Sequence, residues 1–331
     1  MDYYGLFPKF KLNRPINQDE RAYQLHQGLP VDLAGQSMVP DIKVIAINSH
    51  YLEMVDKYYS SKGVGSFISM AFFSILSLFF FSMIFLIISD GRWKYLDELG
   101  LMLLVLIPCG AMAIWMLYLL KTEWFAWTHY PIRFDRKNRL VHVFRLDGSS
   151  YSVAWDSVFF TTGLNHRKDF NKDYYISGHV LAEDKVTVLD TFCLPATHGD
   201  RKQLERHWEF VRRYMEEGPE PVIGVVDFCL PIAEKREGFG FGLLYLMSGF
   251  NGAPLFLLPL FFVLASLFAL PRYIAMLTSR HPRWPASIES QCRIAEDDPY
   301  RRDASDNSSH PWRDIFIRSG RKDKNNDANL N

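Results

Sequence analysis

The chain has 331 residues, with 37 Lys and Arg set against 37 Asp and Glu, so its formal charge is zero and gives no reason to expect a nucleic-acid partner. Its mean hydropathy of -0.07 is low for a chain built mostly of membrane helices and fits a few apolar segments set among polar ones. The four cysteines, Cys109, Cys193, Cys229 and Cys292, show no CxxC spacing, which argues against a disulfide framework or a zinc motif and fits a reducing compartment.

Residues 1–65 read as an N-terminal cytoplasmic segment punctuated by Pro8, Pro15, Pro30 and Pro40, with no cleavable signal peptide expected. A short helix is expected near 18–27, capped by Asn17 or Asp19. IKVIAI at 42–47 is expected as one strand. Residues 49–59, with Leu52, Val55 and Tyr59 on one face, are expected as an interfacial helix that leads into the membrane, with Tyr58 and Tyr59 at the headgroups.

Residues 66–89 hold no charge, Gly or Pro and are long enough to cross about 30 Å of hydrocarbon. A second span follows at 99–120, and the short link between them makes a transmembrane hairpin with Trp93 and Tyr95 at its tip. Pro108 and Gly110 permit a kink and close packing in the second helix. Neither span contains an ionisable residue, which argues against a proton relay or ion pathway. Lys57 and Lys62 precede the first span, and Lys121, Arg133, Arg136, Lys137 and Arg139 follow the second. This bias sets both flanks in the cytoplasm and the tip outside.

Residues 121–237 are expected to fold as a cytoplasmic α+β domain. LVHVFR at 140–145 reads as a strand and Asp147-Gly148 as a hairpin turn. Glu183-Asp184-Lys185 marks a second hairpin. Asp200 then caps a helix in which Leu204, Trp208, Val211 and Met215 form an apolar stripe, ended by Gly218-Pro219. An antiparallel sheet closed by one amphipathic helix is the order of pleckstrin-homology-like folds. Residues 238–277 return to the membrane, either as an interfacial piece before a single helix at 254–270 or as a re-entrant hairpin. Lys235 and Arg236 before it, with Arg272, Arg280 and Arg283 after it, favour the second. Residues 278–331 read as a polar, largely disordered tail.

The sequence offers little chemistry. No HExxH or GxSxG occurs, and GFGFG at 238–242 lacks the Lys-Ser/Thr of a phosphate loop. Asp200 in His198-Gly199-Asp200 is explained as a helix cap, and His207 reads as solvated on the polar side of that helix. His142, His166 and His179 have no ligand spacing. No catalytic, cofactor or metal residues are therefore expected, and the chain reads as non-enzymatic. Two surfaces stand out. Trp155, Phe159, Phe160, Tyr174 and Tyr175 form a candidate partner-binding face. Arg136, Lys137 and Arg139 form a candidate lipid-headgroup site, and Arg167-Lys168 is a second basic turn of the same kind.

The segments IRFDRKNRLVHVFRLDG, VAWDSV and TFCLP, following a membrane hairpin, resemble the DUF6708 type of bacterial membrane protein over roughly residues 40–285. The residues that carry the resemblance are Arg133, Phe134, Asp135, Arg139, Val143, Asp147, Gly148, Trp155 and Asp156, which look like turn and strand-core positions. The resemblance implies the bacterial inner membrane and a setting near type VI secretion and toxin genes. It thereby implies an immunity or accessory protein that binds a toxin or a secretion component. A membrane-surface adaptor that binds lipid or regulates secretion is the alternative.

Overall fold

Two strands that flank the apolar helical hairpin in sequence pair with each other in space. The computed structural model, which describes residues 5–6, 9–89, 96–164, 173–250 and 253–318, opens with β1 (Arg14–Pro15), α1 (Gln18–Ala22) and β2 (Gln24–Leu25). Next come β3 (Val44–Ile47) and β4 (Tyr51–Met54), then the long apolar helices α2 (Val64–Ser89) and α3 (Leu96–Leu120). β5 (Ile132–Asp135) follows and pairs antiparallel with β4, with Leu52 opposite Phe134 and Met54 opposite Ile132. The helical hairpin is thus an insertion between neighbouring strands of one sheet.

That sheet runs β3-β4-β5-β6-β7, completed by β6 (Leu140–Phe144) and β7 (Ser150–Ala154) across the Asp147-Gly148 turn. Gly148 has φ 89° and lies against the Trp127 indole, so the turn requires glycine both for backbone conformation and for room. The second sheet runs β1-β10-β9-β8-β2, built on β8 (Val158–Leu164), β9 (Tyr174–Leu181) and the long β10 (Thr187–His198). Segments from 1–65 contribute strands to both sheets, so the soluble fold draws on both sides of the hairpin. Residues 49–59, expected as a helix, instead give β4 and a 3-10 turn at Lys57–Ser61. Leu52, Glu53, Met54 and Val55 are all buried, and pairing with β5 overrides the helical spacing. Tyr59 is buried rather than exposed to headgroups.

α4 (Arg201–Glu216) lies against the second sheet, and the Asp200 carboxylate caps it by accepting from the Lys202 N–H. Leu204, Trp208, Val211 and Met215 enter the core. The Trp208 ring stacks on Trp155 at 5.7 Å and tilts against Phe160 at 4.7 Å. The opposite face of α4 is covered as well. Residues 31–39 cross it, with Arg206 Nε donating to Ser37 O at 2.6 Å and the Val39 N–H to Arg206 O. His207, expected to be solvated, has no exposed surface.

After α5 (Glu220–Ile223) come α6 (Phe239–Ser248) and α7 (Leu258–Thr278). They pack antiparallel, with Phe239 near Tyr273 (6.0 Å) and Phe250 stacked on Phe261 (4.4 Å). Both ends of the pair therefore return to the base of α2, where Phe67 meets Phe268 at 4.4 Å. α6 has 10 residues, about 15 Å, which is half the thickness of a bilayer's hydrocarbon. α2, α3 and α7 contain apolar windows long enough to cross a membrane. Many of their large side chains, among them Leu78, Phe85, Leu104 and Ile114, face away from the rest of the chain.

The stretch read as a polar tail packs on the soluble fold up to 318. α8 (Ala286–Gln291) buries Ile288, Arg302 bridges Ile47, and Asn307 bonds the backbone of Cys229. Residues 319–331, the hairpin-tip residues Trp93 and Tyr95, and His166, Arg167 and Lys168 lie outside the described residues.

Trp208→Ala should lower the unfolding free energy of the soluble fold by about 3–5 kcal/mol. Leu189→Ala, at a position 47% exposed, should change it by less than about 0.5 kcal/mol. Denaturant titration of the detergent-purified chain, read by tryptophan fluorescence, checks both. Equal shifts would refute the placement of the core.

Candidate functional site

The junction between the sheets and the helices is built around two buried carboxylates. Glu123, just after α3, accepts from the N–H groups of Gly63, Gly65 and Ser66 at 3.1, 3.1 and 2.8 Å, and from Ser66 Oγ. These are the N–H groups that a helix start leaves without partners, and a carboxylate there also opposes the helix dipole. Glu237, just before α6, takes a two-pronged contact from Arg272 of α7, Nε at 2.6 Å and Nη2 at 2.8 Å. Arg272 Nη1 donates to the carbonyls of Tyr59 and Lys62, and Tyr59 OH donates to Glu237 at 2.7 Å. Arg272 has no exposed surface and Glu237 is 5% exposed, so every contact counts. Gly63, at φ 98°, sits where a Cβ would strike the Arg272 backbone at 2.5 Å, which leaves room only for glycine.

Beside this junction an open cleft of about 700 Å³ lies between the soluble fold and α6. Its walls mix apolar groups such as Met38, Phe228 and Leu246 with polar ones. At one end Lys43 Nζ donates to Ser60 Oγ and to Tyr245 OH. At the other end the Asp41 carboxylate lies 3.4 Å from both His198 Nε2 and His207 Nδ1. His207 Nδ1 also lies 3.1 Å from the Val39 carbonyl, which can only accept, so Nδ1 carries the proton. Burial alone would raise the Asp41 carboxyl, but hydrogen bonds from His198 and His207 outweigh it and hold the group well below the usual carboxylate range.

The two surfaces expected from sequence fare differently. Trp155 and Phe160 have no exposed surface, and Tyr175 is buried with its ring beneath Lys57 Nζ at 4.1 Å. They are core rather than a docking face, which leaves Phe159 and Tyr174 half-buried. The turn holding Arg136, Lys137 and Arg139 ends β5, a strand that starts beside the helices and runs away from them, so it lies at the far end of the sheet. Arg139 is bound by Asp156 and by Glu216, at 3.0 Å from Glu216 Oε1, and Arg136 rests on Gly218. A headgroup would have to displace two carboxylates at a point remote from the apolar helices.

Sequence reasoning missed Arg272 and Glu237, counting Arg272 only toward topology. The available signal was an opposite charge at each foot of one apolar stretch. Among the described residues, Asp135, His142 and Cys292 place potential ligand atoms within 4.8 Å of one another. No sequence signal was available for that grouping, since Cys292 lies far along the chain from the two others.

A family model described as "Family of unknown function (DUF6708)" matches residues 109–296, more than half of the chain. The match begins within α3, later than the resemblance read from sequence, and runs past α8. No curated protein and no solved structure matches.

Glu237→Gln should destabilise the chain by about 3–5 kcal/mol, because it leaves Arg272 buried and unpaired. The double variant Glu237→Leu with Arg272→Met should cost less than that single change. Thermal unfolding in detergent checks the order, and a costlier double variant would refute it.

The depressed Asp41 carboxyl stabilises the fold fully above the unfolded value near about 4 and loses that contribution as pH falls toward its folded value. Wild type should therefore lose more stability than Asp41→Asn between about pH 6 and pH 3, as read by urea titration. Parallel loss in both chains would count against the two-histidine contact.

Proposed function

We propose that this chain, which belongs to the DUF6708 family, is a non-enzymatic bilayer-anchored binding protein that captures a segment of a partner protein in the cleft at its membrane-facing junction. The carrying observation is the position of that cleft. One wall is the soluble fold and the other is α6, so a partner seated there is held at the bilayer surface. Its mixed polar and apolar walls suit a peptide segment, whose backbone and side chains need both. Anchoring raises the effective concentration of the binder where the partner acts. Within this reading, α2 and α3 cross the bacterial inner membrane, α6 and α7 re-enter it from the cytoplasmic side, and the sheets are cytoplasmic. The two antiparallel sheets closed by α4 are compatible with a pleckstrin-homology-like domain. The partner class implied by the resemblance is a toxin or a secretion component, with occlusion as the means of neutralising it.

The adaptor reading has less support, since Arg139 is held by Asp156 and Glu216 and its turn lies at the far end of the sheet from the apolar helices.

Thr197 is exposed and lines the cleft, so Thr197→Arg should fill it with little effect on the fold. Affinity capture from host membranes in mild detergent should recover a stoichiometric protein with wild type and at least about tenfold less with Thr197→Arg, a difference of about 1.4 kcal/mol. Equal recovery by both chains, or lipid alone, would overturn the reading.

A further inference from the structure

Three donor atoms of the kinds that bind zinc, from Asp135, His142 and Cys292, meet at the outer end of the first-described sheet, and the His50 ring lies against the other oxygen of the same carboxylate. Asp135 ends β5, His142 lies within β6, His50 precedes β4 and Cys292 follows α8. All four are buried, at 6% exposure for His50, 0% for Asp135, 0% for His142 and 3% for Cys292. Asp135 Oδ2 stands 3.5 Å from His142 Nε2 and 3.6 Å from Cys292 Sγ, and Cys292 Sγ stands 4.0 Å from His142 Nε2. Asp135 Oδ1 stands 3.4 Å from His50 Nε2. In a tetrahedral site with bonds of about 2.0–2.3 Å, donors lie about 3.3–3.8 Å apart, a spacing that the three atoms Asp135 Oδ2, His142 Nε2 and Cys292 Sγ approach.

The protons on the rings sharpen the case. His50 Nδ1 lies 2.9 Å from the Arg293 carbonyl, which can only accept, so Nδ1 donates. In the neutral ring Nε2 then holds a lone pair. That atom is buried, has no hydrogen-bond partner, and faces a carboxylate oxygen. Two electron pairs directed at each other away from water repel unless a proton or a metal cation lies between them. The surrounding contacts orient the donors. Asn138 holds the Asp135 carboxylate through its N–H at 3.0 Å and Nδ2 at 2.7 Å, and Ser152 Oγ sits 2.7 Å from His142 Nδ1. Outer hydrogen bonds of this kind fix the tautomer and direction of metal ligands.

We propose that Asp135, His142 and Cys292 bind one divalent transition ion of the zinc class, and that the His50 ring, on the far oxygen of the carboxylate, swings in to close the fourth position as the ion enters. Two imidazoles, a carboxylate and a thiolate fill four positions, so the ion is structural and keeps no open site for substrate. Binding releases the Cys292 thiol proton to solvent. The ion fastens the segment that follows α7 to the sheet that carries the hairpin. Sequence spacing could not reveal it, because the four ligands come from three regions of the chain that only the fold brings together.

The test uses the full chain in mild detergent, stripped with chelator and refilled with zinc or cobalt(II). Wild type should retain about one ion per chain through gel filtration. Its cobalt form should show the visible absorption of a tetrahedral ion and a near-ultraviolet thiolate-to-cobalt band. Cys292→Ser should lose that band and bind zinc at least about tenfold more weakly. Cys109→Ser should keep both properties. Because Cys292→Ser could unfold, His50→Gln provides a second arm, expected to weaken zinc binding at least about tenfold while retaining the thiolate band. Failure of wild type to retain an ion would overturn the proposal and leave an imidazolium–carboxylate pair between His50 and Asp135. A thiolate band that persists in Cys292→Ser would overturn it too.

Discussion

A guanidinium without exposed surface stands at the foot of three helices, and the arrangement of the helices follows from how it is satisfied. Arg272 takes Glu237 on one edge and the carbonyls of Tyr59 and Lys62 on another, with the Tyr59 and Tyr245 rings 4.8 and 4.9 Å away. One group thus ties the start of α6, the last turns of α7 and the turn leading into α2. An ion pair in so dry a place contributes little net stability compared with well-packed apolar groups. Its effect is on specificity, because any slip of α7 along α2 strands a charge. The positive φ at Gly63 permits the close approach that this geometry needs.

The same junction explains how a sheet-based fold tolerates a long apolar helical hairpin in its middle. β4 and β5 pair over four residues each, so the chain leaves and re-enters the sheet at adjacent points. Glu123 then closes the loop by capping α2 from the far end of α3. The two ends of the hairpin are therefore fixed by a backbone ladder on one side and by a charged cap on the other. α6, the helical wall of the cleft, is held at the same base by the Glu237–Arg272 contact rather than by a flexible linker.

How much of this was legible from sequence depended on whether the information was local. The apolar helices declare themselves because hydrocarbon admits only long uncharged stretches. The α4 stripe of Leu204, Trp208, Val211 and Met215 is buried as its spacing predicts, and the turn at Gly148 is where the dipeptide places it. Residues 49–59 were misread because their spacing suits a helix, while the decisive partner, β5, comes only after the hairpin. His207 looked solvated because the irregular cover at 31–39, with its turn at Ala34-Gly35, has no periodic signal. Trp155 and Arg139 looked like surface anchors, yet the structure gives them to one carboxylate, Glu216, which accepts from the Trp155 indole at 2.6 Å and from Arg139. Composition identifies such residues as chemically capable and says nothing about who already holds them.

That argument extends to the segment beyond α7. Its polarity suggested a tail, because a chain with few apolar residues cannot by itself repay the entropy of ordering. It is ordered through specific polar contacts together with a few buried apolar groups, Ile288 and Ile315 among them. Ser279 Oγ donates to the Glu123 carbonyl, Trp284 Nε1 reaches Glu53 at 3.2 Å beside Arg133, and the Ser49 N–H and hydroxyl both donate to Asp298. Each such bond contributes only about 0.5–1.5 kcal/mol net, so they order a chain only when its start is already fixed. Arg272 fixes that start. The segment after α7 is therefore ordered as a consequence of how α7 is anchored, and the side of the junction to which α7 returns decides that Cys292 can reach Asp135 and His142 at all.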